Sequence, residues 1–276
     1  MKCKKSAVCA ALLLTLSALS VTSSAAATLY ATNGAGLGLG GGASSLYTID
    51  TTTGLATLVG ATGFNEVVGI DFNPLNGKLY GVSNGSQQLL TINLTTGAGT
   101  AVATLSPSFQ SPDLAFSATG TLYSWSEPGP DHLNRINTTT GATTDVGPSG
   151  VGTFRTGLGI RSGTIYMKNG DGYIYTIDPI TGAATLVSST AGFRNTLAFD
   201  PAGLGFTLDL SGYLYGLNVM SGAFFPIGST GVSDMAGLAF APENTVPVPA
   251  ALPLFATGLA GLGWLARRRK KQTAAA

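Results

Sequence analysis

Five charged side chains recur at one kind of place in this 276-residue chain: Glu66, Asp113, Arg155, Arg194 and Asp234. Each lies shortly before, or at the start of, a short apolar stretch. Three carboxylates gathered at one mouth supply the pair that general acid–base hydrolysis requires. Three carboxylates mixed with two guanidinium groups supply a binding ring for a polar ligand. Other chemistries lack their parts. Cys3 and Cys9 are the two cysteines, and both stand in the first ten residues. The rest of the chain therefore offers no thiol nucleophile, disulfide or thiolate metal ligand. His132 is the single histidine, too few for a His-rich metal centre. The stretch Asn169-Gly-Asp-Gly172 has the look of a calcium loop without its distal acidic ligands and reads as a tight hairpin. Gly34 to Gly42 is rich in glycine, but no Lys-Ser/Thr follows, so it reads as a loop inserted in the first repeat rather than a phosphate cradle. No catalytic residue, cofactor or metal is assigned.

The elements that must position these side chains come from a repeat. One phrase returns five times, at 45–54, 89–97, 133–141, 173–182 and 213–222, and closes on Gly54, Gly97, Gly141, Gly182 and Gly222. The spacings of those glycines are 43, 44, 41 and 40 residues, the period of a four-stranded propeller blade. Asp50, Asn93, Asn137, Asp178 and Asn218 precede the turns. Short polar side chains at such positions bond the local backbone, so these five read as turn caps, not metal ligands.

Each repeat divides into four strands with β-branched and aromatic residues between Gly, Asn, Asp and Pro turns. The first strand is predicted at 69–72, 113–116, 157–160, 196–199 and 237–240, the second at 78–82, 121–125, 164–167 and 205–208. A fifth second strand opens the chain at 28–32, and the last first strand, 236–241, stands alone. Pairing these two completes a blade from both termini. The fold class expected is all-β: a five-bladed β-propeller over 28–245, closed by its N- and C-terminal strands with no open terminal edge. The loops before each first strand and between second and third strands are expected to share one face, which places Glu66, Asp113, Arg155, Arg194 and Asp234 at the channel mouth.

Both ends lie outside this repeat. Residues 1–27 have the layout of a secretory signal peptide: Lys2, Lys4 and Lys5, an apolar run from Ala7 to Val21, and an A-x-A site at Ala25–Ala27. Residues 246–276 carry Val246, Pro247, Val248, Pro249 and Ala250, then 17 uncharged residues from Ala250 to Ala266, then Arg267, Arg268, Arg269, Lys270 and Lys271. Seventeen residues is the lower limit for a single transmembrane helix, and the basic block marks its cytoplasmic end. This order of parts resembles the PEP-CTERM sorting signal of Gram-negative bacteria, nearest its VPLPA-type variant, with Val248 where a Glu often stands. The resemblance implies removal of the tail by an exosortase, after export through Sec and cleavage by signal peptidase. It also implies a transient inner-membrane anchor with the propeller on the periplasmic side, then an outer-surface or extracellular location. The repeat phrase resembles propeller units of exported bacterial proteins.

Residues 28–245 hold all 13 acidic side chains and six basic ones, a net charge near −7. Nucleic acid is a poor partner for such a surface, which lacks clustered Lys and Arg. The function expected is a non-enzymatic binding or structural module of the envelope or exopolysaccharide/biofilm matrix, with a polysaccharide or protein ligand. The alternative is an extracellular glycan or lactone hydrolase working through carboxylates at the channel mouth.

Overall fold

The computed structural model describes residues 27–34, 42–110, 113–127, 131–192 and 195–242. The expected signal peptide, sorting motif, span and basic tail lie outside the described residues. Among the described residues there is no helix, and so none long and apolar enough to cross a membrane.

The chain folds into five antiparallel four-stranded sheets arranged as a five-bladed propeller. Blade I holds β1 (Leu29–Asn33), β2 (Ala43–Ile49) and β3 (Ala56–Asn65). Blade II is β4 (Val67–Phe72), β5 (Leu79–Ser83), β6 (Gln88–Ile92) and β7 (Gly99–Thr104). Blade III is β8 (Leu114–Phe116), β9 (Leu122–Ser126), β10 (His132–Ile136) and β11 (Thr143–Pro148). Blade IV is β12 (Gly157–Arg161), β13 (Thr164–Lys168), β14 (Tyr173–Ile177) and β15 (Ala184–Ser189). Blade V is β16 (Ala198–Phe199), β17 (Gly205–Leu208), β18 (Tyr213–Leu217) and β19 (Phe224–Ser229). The final strand, β20 (Met235–Phe240), pairs antiparallel with β1, Leu29 opposite Phe240, and completes blade I from the far end of the chain.

Two details depart from the expected pattern. Closure comes from packing of separate sheets: among the described residues β3, β7, β11, β15 and β19 each keep an outer edge with no paired strand. Prolines blunt two of these edges, Pro148 in β11 and Pro226 in β19, because proline offers no ladder N–H. The inner strand of blade V is also shorter than 196–199. The Thr196 hydroxyl accepts the Leu208 N–H at 2.9 Å in place of a backbone carbonyl, so regular pairing begins only at Ala198.

Adjacent blades are joined by two repeated seams. The first is aromatic. Tyr30, Tyr80, Tyr166 and Phe206 on second strands meet Phe72, Phe116, Phe199 and Phe240 on the next blade's first strand, with centroids 5.1–5.7 Å apart. Such tilted and edge-on pairs contribute about 1 kcal/mol each beyond their buried area. Between blades III and IV the aromatic partner is replaced: Tyr123 packs in the same cluster as Ile160. The second seam is the repeated turn. Asp50, Asn93, Asn137, Asp178 and Asn218 each accept amides two and three residues on, at 2.7–3.3 Å. Each turn then ends on a glycine at φ between 70° and 83°. A Cβ at Gly97 would strike the Gly60 carbonyl of blade I, and one at Gly182 that of Gly147 in blade III. The turn caps thus also dock each blade on its predecessor.

At the axis the inner strands approach too closely for side chains. A Cβ on Gly157 would meet the backbone of Thr196 and Leu197 in blade V, whereas one on Gly42 meets nothing within 4 Å. Gly157→Ala should therefore lower the unfolding free energy by roughly 3 kcal/mol. Gly42→Ala should leave the urea midpoint unchanged. Equal midpoints for the two variants would show that the axis has slack.

Candidate functional site

One face of the ring is built from two sets of loops, tied by a repeated hydrogen bond. An amide just after the second strand, the first in blades I to III and the second in blade IV, donates to a carbonyl in the loop before that blade's first strand. Gly34 donates to Asp234 at 3.2 Å, Asn84 to Glu66 at 2.9 Å, Glu127 to Gln110 at 3.2 Å and Gly170 to Phe154 at 2.8 Å. The loops before first strands and those after second strands therefore meet on one face in blades I to IV.

Three of the expected site residues occupy corresponding places in these loops. Glu66, Arg155 and Asp234 all adopt left-handed backbone, with φ of 51°, 55° and 56°. Residues other than glycine seldom adopt it, and where they do the surroundings must hold them there. Counted to the equivalent glycines Gly69, Gly237 and Gly157, Glu66 and Asp234 stand one residue further out than Arg155. A β-bulge in each absorbs that extra residue: Val67 pairs with Ser83 and Gly69 with Val82, and Met235 pairs with Asn33 and Gly237 with Thr32. Arg194 lies outside the described residues. Asp113 does not join this loop set, because it is fully buried at the axis.

The best-supported part of the face is Phe154–Arg155. The Phe154 N–H donates to Asn169 Oδ1 at 2.8 Å, and the Arg155 N–H donates to Glu127 Oε1 at 2.6 Å. Glu127 also accepts the Thr156 hydroxyl at 2.9 Å. Burial pushes the Glu127 carboxyl above its usual range, against the pull of the Thr156 and Arg155 bonds. Trp125 Nε1 donates to the Thr153 hydroxyl at 2.9 Å, which donates to Asp131 Oδ1 at 2.7 Å. The backbone of this loop is thus fixed from three sides while the Phe154 ring faces outward. Phe154 is 56% exposed, and the Arg155 guanidinium carbon sits 5.1 Å from its ring centroid. A flat ring beside a cation, held on a fixed backbone, offers stacking and hydrogen bonding to a ligand.

The axis carries a different pair of acids. Asp71 Oδ1 accepts its neighbour Phe72 at 2.8 Å and Oδ2 accepts Phe116 of blade III at 2.6 Å. Asp113 repeats the arrangement, accepting Leu114 and Leu158 of blade IV, both at 2.9 Å. Each carboxylate satisfies an inner-edge amide that no strand can reach. Burial pushes Asp71 up to about 7 and Asp113 well above its usual range, opposed by these amide bonds. Among the described residues His132 Nδ1 and Asp145 Oδ2 share a hydrogen bond of 2.7 Å, and no three potential ligands gather to hold a metal ion.

The sequence alone assigned no site role to Asp71, Glu127 or Phe154. Asp71 had a signal: Ala115, Gly159, Ala198 and Ala239 stand at its place in the other repeats, so an acid there is anomalous. Glu127 and Phe154 sit in loops of unequal length that the repeat does not align.

The sequence profile of a domain of unknown function, DUF4394, matches residues 60–117, which cover β4 to β8. Comparison with curated protein sequences gives no match. Among solved structures, a chain in the crystal structure of a nidogen/laminin complex is similar over 79% of this chain and 99% of that one, with TM-score 0.56 and 11% identity. A structural genomics protein of unknown function from Bacteroides thetaiotaomicron is similar over 66% of this chain and 52% of that one, with TM-score 0.51 and 16% identity. At such identities the likeness is one of fold.

The buried carboxyls set a pH dependence. Asp71 is protonated in the fold at pH values where the unfolded chain would be ionised. Its contribution to stability is present at low pH and is lost as pH rises through about 7. Asp50, Asp178 and Asp209 shift the other way, lowered by bonds from turn amides and hydroxyls against burial, and act only below the usual carboxylate range. Thermal midpoints should therefore fall between about pH 5 and about pH 8. Asp71→Asn should flatten that slope, and an unchanged slope in the variant would remove Asp71 as its source.

Proposed function

We propose that the chain is an exported, exosortase-processed surface protein whose propeller binds a glycan of the extracellular matrix without transforming it. The observation that carries the binding part is the Phe154–Arg155 platform, an exposed ring beside a half-buried arginine on a backbone fixed by Glu127 and Asn169. Aromatic faces stack on the apolar faces of sugar rings, and arginine adds directional donors for hydroxyl or carboxylate groups. Fixing the backbone beforehand lowers the ordering cost of binding. The surface charge near −7 favours a neutral or weakly charged polymer over a strongly acidic one.

The export part rests on the sequence. The three parts of the tail follow in order after β20, with five residues, 241–245, between its last residue Phe240 and the start of the motif at Val246. The paired strands end at Phe240, so removal of residues beyond Val246–Ala250 by an exosortase leaves them intact. The partners in this reading are the Sec machinery, signal peptidase, exosortase, the inner membrane before processing, and a matrix polysaccharide or protein afterwards. A hydrolase needs two carboxylates flanking an open cleft. Asp113, one of the three considered for that role, is enclosed with both oxygens bonded to amides, which favours the non-enzymatic reading.

Two measurements test this. Affinity electrophoresis in gels containing the producing cell's own exopolysaccharide should retard the protein. Phe154→Ala and Arg155→Ala should each weaken retardation about tenfold, while Thr100→Ala, on the exposed outer strand β7, should not. Equal mobility of all four proteins with and without polymer would remove the binding proposal. Mass spectrometry of the exported protein should show loss of the residues beyond the Val246–Ala250 region. An Arg267–Lys271 block retained on the exported form would remove the processing proposal.

A further inference from the structure

The face opposite the loops is made of the hairpins between first and second strands and of the repeated turns between third and fourth strands. β20 also ends there, since its Phe240 end pairs with the Leu29 start of β1. This face carries an unusual set of side chains. Where the turns of blades I, II and III have Thr52, Thr95 and Thr139, blades IV and V have Ile180 and Met220, exposed by 78% and 59%. Where the other four turns have alanine after their glycine, blade I has Leu55, exposed by 60%. The first hairpin of blade II adds Leu75 at 69%. Single exposed apolar residues are ordinary. Here four large ones share one end of the ring, on four consecutive blades, in turns where a small or polar residue satisfies the same backbone.

The covalent path from this face narrows what can cover it. Residues 241–249 separate β20 from the uncharged run Ala250–Ala266. Nine residues reach at most about 30 Å even when fully extended. If that run spans the inner membrane before processing, the Phe240 end of β20 is held within that distance of the lipid surface. We infer that the hairpin face rests on the bilayer, with Leu55, Leu75, Ile180 and Met220 in the interfacial region, until the tail is removed. This inference rests on reading the tail as a membrane span. Leucine, isoleucine and methionine on rigid turns can enter the headgroup boundary without any backbone amide losing its partner, because the Asx caps already satisfy the turn amides. Lys78, Arg135 and Arg161 stand at this end together with Asp50, Asp178 and Asp200, charges of both signs in equal number, so the attachment is apolar rather than electrostatic and withstands salt.

The test uses the full chain, with Cys3→Ser and Cys9→Ser, in vesicles of phosphatidylethanolamine and phosphatidylglycerol. A polarity-sensitive fluorophore is placed in turn at Ile180→Cys, Met220→Cys and, on the loop face, Asp234→Cys. Quenching by aqueous iodide should be at least about threefold weaker at the first two positions than at the third, and lipid-borne quenchers should reach only the first two. A carbonate wash reads the tail separately. Protein that resists the wash but shows iodide quenching equal at all three positions overturns the face proposal and leaves the span reading standing. Protein that washes off yet shields Ile180→Cys and Met220→Cys while bound to vesicles overturns the span reading and supports the face. Shielding of those two positions in vesicle-free solution overturns the lipid assignment in favour of a second copy of the chain.

Discussion

The crowding of five inner strands around one axis is the constraint on which the rest of the structure depends. At Gly157 and Gly69 the neighbouring blade's backbone occupies the space a side chain would need. The same approach leaves inner-edge amides facing a centre where no strand can pair with them. Asp71 and Asp113 resolve that problem for Phe116 and Leu158 by reaching across to the next blade. Their raised pKa values follow from enclosure, opposed by the amide bonds, and need no catalytic purpose. Further out, the aromatic pairs and the docked turns repeat the linkage between blades, and β20 with β1 joins the two chain ends.

Much of this architecture was readable in the sequence because the repeat is strict where the backbone demands it. The turn phrase needs an Asx cap and a left-handed glycine, and those residues mark each blade. The split blade followed from counting strands. The short β16 was not readable, since a threonine hydroxyl substituting for a carbonyl leaves no trace in a strand pattern. The site was less legible. Glu66, Arg155 and Asp234 do share a loop position and a backbone conformation, although the bulges that align them cannot be counted from spacing alone. Asp113 looked like their companion but begins an inner strand, where burial and amide bonding claim it. Phe154 escaped because its importance depends on Asn169 and Glu127, which are distant in sequence and hold its loop still.

In the proposed account the two faces of the ring divide the work. The loop face carries charged and aromatic side chains on a braced backbone, and the hairpin face carries apolar residues on capped turns near the exit of the chain. A propeller allows this division because its loops vary freely while the blades stay packed. In the proposed account the ring itself is passive: it holds the platform steady and tolerates loss of the tail.

Residue-resolved hydrogen exchange, with and without the matrix polysaccharide, tests that account most directly. It predicts that the Phe116 and Leu158 amides exchange as slowly as the paired strands in both states, and that added polymer slows exchange only around Phe154–Arg155 and the loops bonded to it. Fast exchange at Phe116 and Leu158, or protection by polymer centred on the hairpin turns or the outer strands, would contradict it.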